Sequence, residues 1–183
     1  MAIKTFTAGS VLTASDTNTY LANSGLVYVT STSFTAATTV NVDNCFTSTY
    51  DNYRIIIRAV GSGGLETAFM RMRASGTNSL VNYYQGGWYA SCTNASGYLS
   101  VNNGTAWFVL NVINAIPSNT SLDVYAPKLA EHTNYTGQCS EAGTSMWAIN
   151  GNHRVSTAYD GFSLYLNATN MTGSVTVYGY RKA

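Results

Sequence analysis

After Gly25 the texture of the chain changes. From Leu26 onward apolar and polar residues alternate with a period of two, the spacing of strands whose side chains point by turns to a core and to solvent. The pattern predicts strands at 27–32, 38–42, 54–60, 66–74, 83–92, 107–114, 121–125, 146–149, 162–167 and 174–181. Turn signals separate them: Asp51-Asn52, Gly61 to Gly64, Ser75 to Asn78, Asn102 to Gly104, Gly151-Asn152 and Asp160-Gly161. Many short strands with two prolines and no intervening helices predict a mainly β fold, an antiparallel β-sandwich of jelly-roll-like type.

Two strands show which faces are wet. Phe162, Leu164 and Leu166 share one face, with Ser163, Tyr165 and Asn167 on the other. Val175 and Val177 face a core, which leaves Tyr178 and Tyr180 outside, either paired with aromatics across the sheet or covered by a partner.

Residues 1–25 form a different unit, an N-terminal arm before a sandwich domain at 26–183. Thr13 and Asp16 fit a capping pattern for a helix from Ala14 to Ala22, and Gly25 suits a left-handed stop after it. Nine residues are too few for a helix to hold alone in water, where roughly 12 to 15 are already marginal. The arm must therefore dock, and Phe6, Val11, Leu12, Tyr20 and Leu21 are its apolar candidates for attachment to a particle or a subunit.

Composition narrows the function. Charged residues make up 9% of the chain, against about 25% in a typical soluble protein. A surface of Thr, Ser, Asn, Gly and Tyr is expected to be covered by partners or to face a harsh medium. A net charge of +1 gives no electrostatic footprint for nucleic acid. The sequence has no long apolar run and no charged-then-apolar leader, which predicts no membrane span and synthesis in a cytoplasm without a cleaved signal. Cys45, Cys92 and Cys139 form no metal-binding spacing. They read as buried small apolar side chains, with one disulfide as the alternative.

Three groups of residues are candidates for function. Arg54 and Arg58 share a face of one predicted strand, and Arg71 and Arg73 share a face of the next. The Gly61 to Gly64 turn is expected to pair the two strands as a hairpin, so that four cations converge and need Asp51, Glu66, Asp123 or a neighbour's acids. That cluster is a candidate inter-subunit or docking contact. Trp88, Tyr89 and Trp107, within a middle rich in aromatics that includes Tyr83 and Tyr84, read first as core and interface packing, with stacking on a glycan as the alternative. His132 and His153 stand apart from any nucleophile elbow, zinc signature or phosphate loop, so no catalytic residue, metal site or cofactor is predicted, and both histidines read as loop or contact residues.

The arm FTAGSVLTASDTNTYLAN, the stretch TYDNYRIIIR and the closing GSVTVYGYRK resemble small structural proteins of tailed bacteriophages, in which a similar arm precedes a β-sandwich. The resemblance implies a non-enzymatic, homotrimeric virion component on the particle exterior, with other capsid or tail proteins as partners. It transfers no site residue. Two roles follow from it: a capsid decoration or cement protein, or a short tail-fibre or tail-tip subunit that binds a host polysaccharide. A fibre usually gains length from heptads or repeats, and this chain has neither, which favours decoration.

Overall fold

The computed structural model describes residues 7–11, 13–16, 25–93, 95–141 and 145–182. A short helix α1 (Ala14–Asp16) is followed by thirteen strands: β1 (Leu26–Ala37), β2 (Thr39–Val42), β3 (Asn52–Gly61), β4 (Glu66–Ala74), β5 (Thr77–Asn78), β6 (Tyr83–Ser91), β7 (Ser96–Gly104), β8 (Trp107–Val112), β9 (Ser118–Tyr125), β10 (Thr133–Glu141), β11 (Ser145–His153), β12 (Gly161–Tyr165) and β13 (Met171–Tyr180). Eight strands form one antiparallel sheet in the order β1-β13-β3-β9-β10-β11-β6-β7. The second sheet runs β2-β12-β4-β5, with β8 also paired to β4.

The wrap is jelly-roll-like. Where β3 crosses to β4, the neighbouring β13 and β12 make the same crossing beside it, as do β9 and β8 on the other flank. The chain is an antiparallel β-sandwich. Period-two burial drives it: in β3, Tyr53, Ile55, Ile57 and Ala59 are buried, and in β4, Ala68, Met70 and Met72 are. These inner faces meet in one core with Leu122, Val124, Phe162, Leu164, Val175 and Val177.

All ten predicted strands are present, and three went unpredicted. β10 turns Thr133, Tyr135, Gly137, Cys139 and Glu141 inward, a face with one large apolar side chain and so little hydrophobic signal. β7 is a sheet edge with half-buried Leu99 and Val101, and β5 has two residues. The Asn102 to Gly104 signal falls at the end of β7 rather than between strands. Gly151 is no turn either: it lies inside β11, where an added Cβ would stand 2.4 Å from the Tyr135 ring and 2.8 Å from Trp107 Nε1. Two aromatic rings need that space. Ser75-Gly76 does turn, with φ of 49° and 76°, and closes the β4–β5 hairpin.

Two polar groups stitch the core. The Gln85 amide acts as a piece of strand: its Oε1 accepts the Phe108 N–H at 2.8 Å and its Nε2 donates to the Phe108 carbonyl at 2.6 Å, joining β6 to β8 across the sandwich. His153, read from sequence as a loop residue, is instead fully buried on β11 and stacks on Tyr83 at 4.1 Å. His132 is exposed before β10.

At the N-terminus, Asp16 N–H donates to Thr13 Oγ1 at 3.1 Å and Thr13 N–H to the Asp16 carboxylate at 3.3 Å, the expected reciprocal cap. Gly25 has φ of 84°, in the left-handed region as read. The predicted helix beyond Asp16 lies outside the described residues, as do Phe6, Leu12, Tyr20 and Leu21. Val11 is described and is 85% exposed. Cys45 and Cys139 are buried as expected, and burial pushes the Cys139 thiol up to about 11. Cys92 is exposed instead, just past the end of β6 where no core reaches it.

Candidate binding face on the eight-stranded sheet

The outer face of the larger sheet is a grid set by strand register. One row runs Arg54, Asp123, Thr136, Asn150, Gly86, Ser100 across β3, β9, β10, β11, β6 and β7. The next runs Ile56, Ser121, Gln138, Ala148, Trp88, Tyr98. Both project away from the core because their alternating neighbours, such as Ile55, Leu122, Tyr135 and Ile149, are buried.

Trp88 is 70% exposed and Tyr98 73%. Their ring centroids lie 6.2 Å apart at 57°, so the two rings flank one spot without closing on each other. The indole stands among small residues: Gly86 and Ala90 two places along its own strand, and Ala148 opposite it on β11. No bulky side chain occupies those neighbouring positions. A shallow groove of about 650 Å³ runs here, with Trp88, Met146, Ala148, Gln138, Ser121 and Ile56 among its lining.

A second groove of about 500 Å³ adjoins it, sharing Ser121, Gln138 and Ala148, and is lined with polar groups including Arg54, Asp123, Thr136 and Asn150. Arg54 grips the Asp123 carboxylate with two hydrogen bonds, Nε at 2.8 Å and Nη2 at 2.7 Å. The Tyr180 hydroxyl donates to the same carboxylate at 2.5 Å. The Arg54 hydrogen bonds, ahead of the one from Tyr180, hold Asp123 below the usual carboxylate range. Burial, followed by the bond to Asp123, pushes the Tyr180 phenol up to about 12. Tyr178 meets Tyr28 edge-on at 6.2 Å, so the outward tyrosines of β13 are engaged within their own sheet.

The arginines do not converge. β3 and β4 lie in different sheets, and the glycines from Gly61 to Gly64 carry the chain across the sandwich rather than around a hairpin. Arg54 and Arg58 face out from the large sheet, Arg71 and Arg73 from the small one. Arg58 is exposed. Arg71 lies 4.1 Å over the Tyr165 ring and donates to the Thr105 carbonyl at 3.1 Å. Arg73 is 7% exposed and pairs with Asp43 at 2.7 Å. Of the predicted acids, Asp123 does meet an arginine. Asp51 pairs with Lys182 at 2.7 Å instead. Glu66 accepts the N–H groups of Asn167, Ala168 and Thr169 at 2.7, 2.7 and 2.8 Å, and the Thr169 hydroxyl. Burial alone would raise its pKa, but these donors outweigh it and the pKa is lowered.

The aromatic candidates separate in the same way. Trp88 is outward, as glycan stacking requires. Trp107 is fully buried against Tyr83 at 5.2 Å and Tyr135 at 4.7 Å, a core residue. Tyr89 is half-buried and stacks on Trp147 at 4.6 Å, on the opposite side of its strand from Trp88. Sequence reading missed Tyr98, Gln138, Thr136 and Asn150 because β7 and β10 went unrecognised and β11 was cut short at residue 149. Without those strands their outward register has no meaning.

No protein-family model matches the sequence, and no curated protein matches it. Among solved structures, the galectin LEC-6 of Caenorhabditis elegans aligns over 80% of this chain and 94% of its own at 7% identity, with a TM-score of 0.38. A non-toxic crystal protein from Bacillus thuringiensis aligns over 86% of each chain at 10% identity, with a TM-score of 0.11.

Proposed function

We propose that this chain is a non-enzymatic virion surface protein of a tailed phage, held to the particle by its N-terminal arm and binding a saccharide on the outer face of its eight-stranded sheet. The observation that carries the reading is Trp88: a large indole, 70% exposed, beside exposed Tyr98 and on a groove whose hydrogen-bonding groups, Asn119, Ser121 and Gln138 among them, are uncharged. Leaving such a ring in water forgoes the gain of burying it, and the flat apolar face of a sugar ring covers it while hydroxyls further along the saccharide meet Gln138 and Ser121 on the groove.

The position of the arm supports a host-binding role over decoration. The arm joins at Gly25, whose carbonyl accepts the Arg181 N–H at 3.1 Å, beside the paired ends Leu26 and Tyr180. The row nearest that end holds Asn52, Tyr125, Asn134, Asn152 and Tyr84. Trp88 is four residues further along β6, about 13 Å away. The Gly25 junction and Trp88 thus lie at different ends of the face, with the Arg54 and Asp123 pair between them.

The test is retention on an array of bacterial surface polysaccharides. The intact chain is expected to bind at least one of them, and Trp88→Ala to lose about tenfold or more of that affinity, equivalent to about 1.4 kcal/mol, with an unchanged melting temperature. Removing residues 1–25 should leave retention intact and abolish incorporation into particles. Equal retention by Trp88→Ala and the parent chain contradicts the reading.

A further inference from the structure

We infer that the saccharide is an uncharged glycan about three rings or more in length, lying across the strands with one ring on Trp88 and Tyr98 and another on the Arg54 and Asp123 pair. This rests on the saccharide reading above and adds a length, a direction and a charge to it.

The direction follows from the two grooves. They join through Ser121, Gln138 and Ala148, so apolar and polar halves form one trough. From Trp88 on β6 the trough crosses β11 and β10 to reach Asp123 on β9. Three strand spacings make about 14 Å, since neighbouring strands lie about 4.8 Å apart. One sugar ring cannot span that distance. The path between is open: Gly86 and Ala148 carry almost no side chain, and Thr136, Gln138 and Asn150 are exposed along it.

The absence of charge follows from the pair itself. Arg54 and Asp123 satisfy each other through two short hydrogen bonds, so together they carry no net charge. They still offer what neighbouring hydroxyls need: guanidinium N–H groups that Asp123 does not use, and carboxylate lone pairs beyond those taken by Arg54 and Tyr180. A ligand carboxylate would compete with Asp123 for Arg54 and leave one of the two acids without its partner. Arg58, the other charge on these rows' strand, lines neither groove.

The experiment titrates the full chain, by calorimetry, with glucose, galactose, mannose and N-acetylglucosamine oligomers graded from one ring to six, and with oligogalacturonates as acidic counterparts. For the series that binds, affinity should rise about tenfold or more between two rings and four. Asp123→Asn should remove that rise while leaving the short-ligand affinity unchanged. Because Asp123→Asn also strips Arg54 of its partner, Asn150→Ala on the exposed path serves as the second variant, and it too should weaken only the longer ligands. Affinity complete at one ring and insensitive to both variants overturns the extended site while leaving Trp88 stacking in place. Preference for the oligogalacturonates overturns the uncharged ligand. No saccharide binding at all overturns this inference together with the reading it rests on.

Discussion

Replacing Trp107 with alanine is expected to lower folding stability by about 3–5 kcal/mol, the range for emptying a buried tryptophan site. The indole is fully buried, edge-on to Tyr83 at 5.2 Å and 88° and tilted against Tyr135 at 4.7 Å. Its Nε1 donates to the Tyr84 carbonyl at 3.2 Å. Its removal therefore opens a cavity, breaks these two contacts and a third with the His153 ring at 6.0 Å, and takes a donor from a backbone oxygen. The bare Gly151 beside it has no side chain with which to fill the space. Domains of this size hold about 5–15 kcal/mol in all, so the variant should be largely unfolded at modest urea concentrations. Trp88→Ala, on the surface, should move the urea midpoint little, within about 0.5 kcal/mol. A Trp107→Ala loss below about 1 kcal/mol would show that this ring is not a pillar of the core.

Acid should weaken the fold in a particular window. Burial lowers the His153 pKa from its ordinary 6.5 to about 4. The ring sits between Tyr83 and Tyr159, with Nε2 2.6 Å from the Tyr159 hydroxyl and Nδ1 3.3 Å from the Asn82 carbonyl. A carbonyl can only accept, so the neutral ring donates through Nδ1 and takes the Tyr159 proton at Nε2. The unfolded chain binds a proton near pH 6.5 while the folded chain resists until about pH 4. Between those values the unfolded state holds more protons, so stability falls as pH falls. The contribution is whole above about pH 6.5 and lost below about pH 4. At about 1.4 kcal/mol per pH unit, crossing the window should remove about 3 kcal/mol. Urea midpoints measured at intervals from pH 7 to pH 4 should decline, and His153→Phe should flatten that decline. A midpoint that stays level from pH 6.5 to pH 4 in the parent chain would mean that His153 is not shielded as described.

The sandwich was legible wherever alternation placed large apolar residues on one face. β3 and β13 read plainly, because Ile55, Ile57, Val175 and Val177 are large, β-branched apolar residues spaced by two along one face. β10 did not, because it fills its inner face with Thr133, Gly137, Cys139 and Glu141 around a single Tyr135, and the core there is built by neighbouring strands. Glycine misled twice for one reason: Gly61 to Gly64 and Gly151 have local signatures of turns, but the first run crosses between sheets and the second makes room for rings. Glycine permits close approach as well as tight bends.

The candidate binding face was half legible. The cluster Tyr83 to Tyr89 was visible, and so was the pairing need that joins Arg54 to Asp123. Which aromatic faces water was not, because β6 reverses the usual rule: Gln85 is buried to bridge the sheets, and Trp88, three residues on, is left outside. The polar half of the trough needed tertiary register, which brings Asp123, Thr136 and Asn150 from three strands into one row.

The three tryptophans allow a direct test of the face. Trp107 is buried, Trp147 is half-buried against Tyr89, and Trp88 stands in water. Oxidation by N-bromosuccinimide, followed by peptide mass spectrometry, should modify Trp88 first. A saccharide that the chain retains should then protect Trp88 and leave the reactivity of Trp147 unchanged. If Trp88 is oxidised as fast in the saturated complex as in the free chain, the ligand lies elsewhere and the outer face of the eight-stranded sheet is not its site.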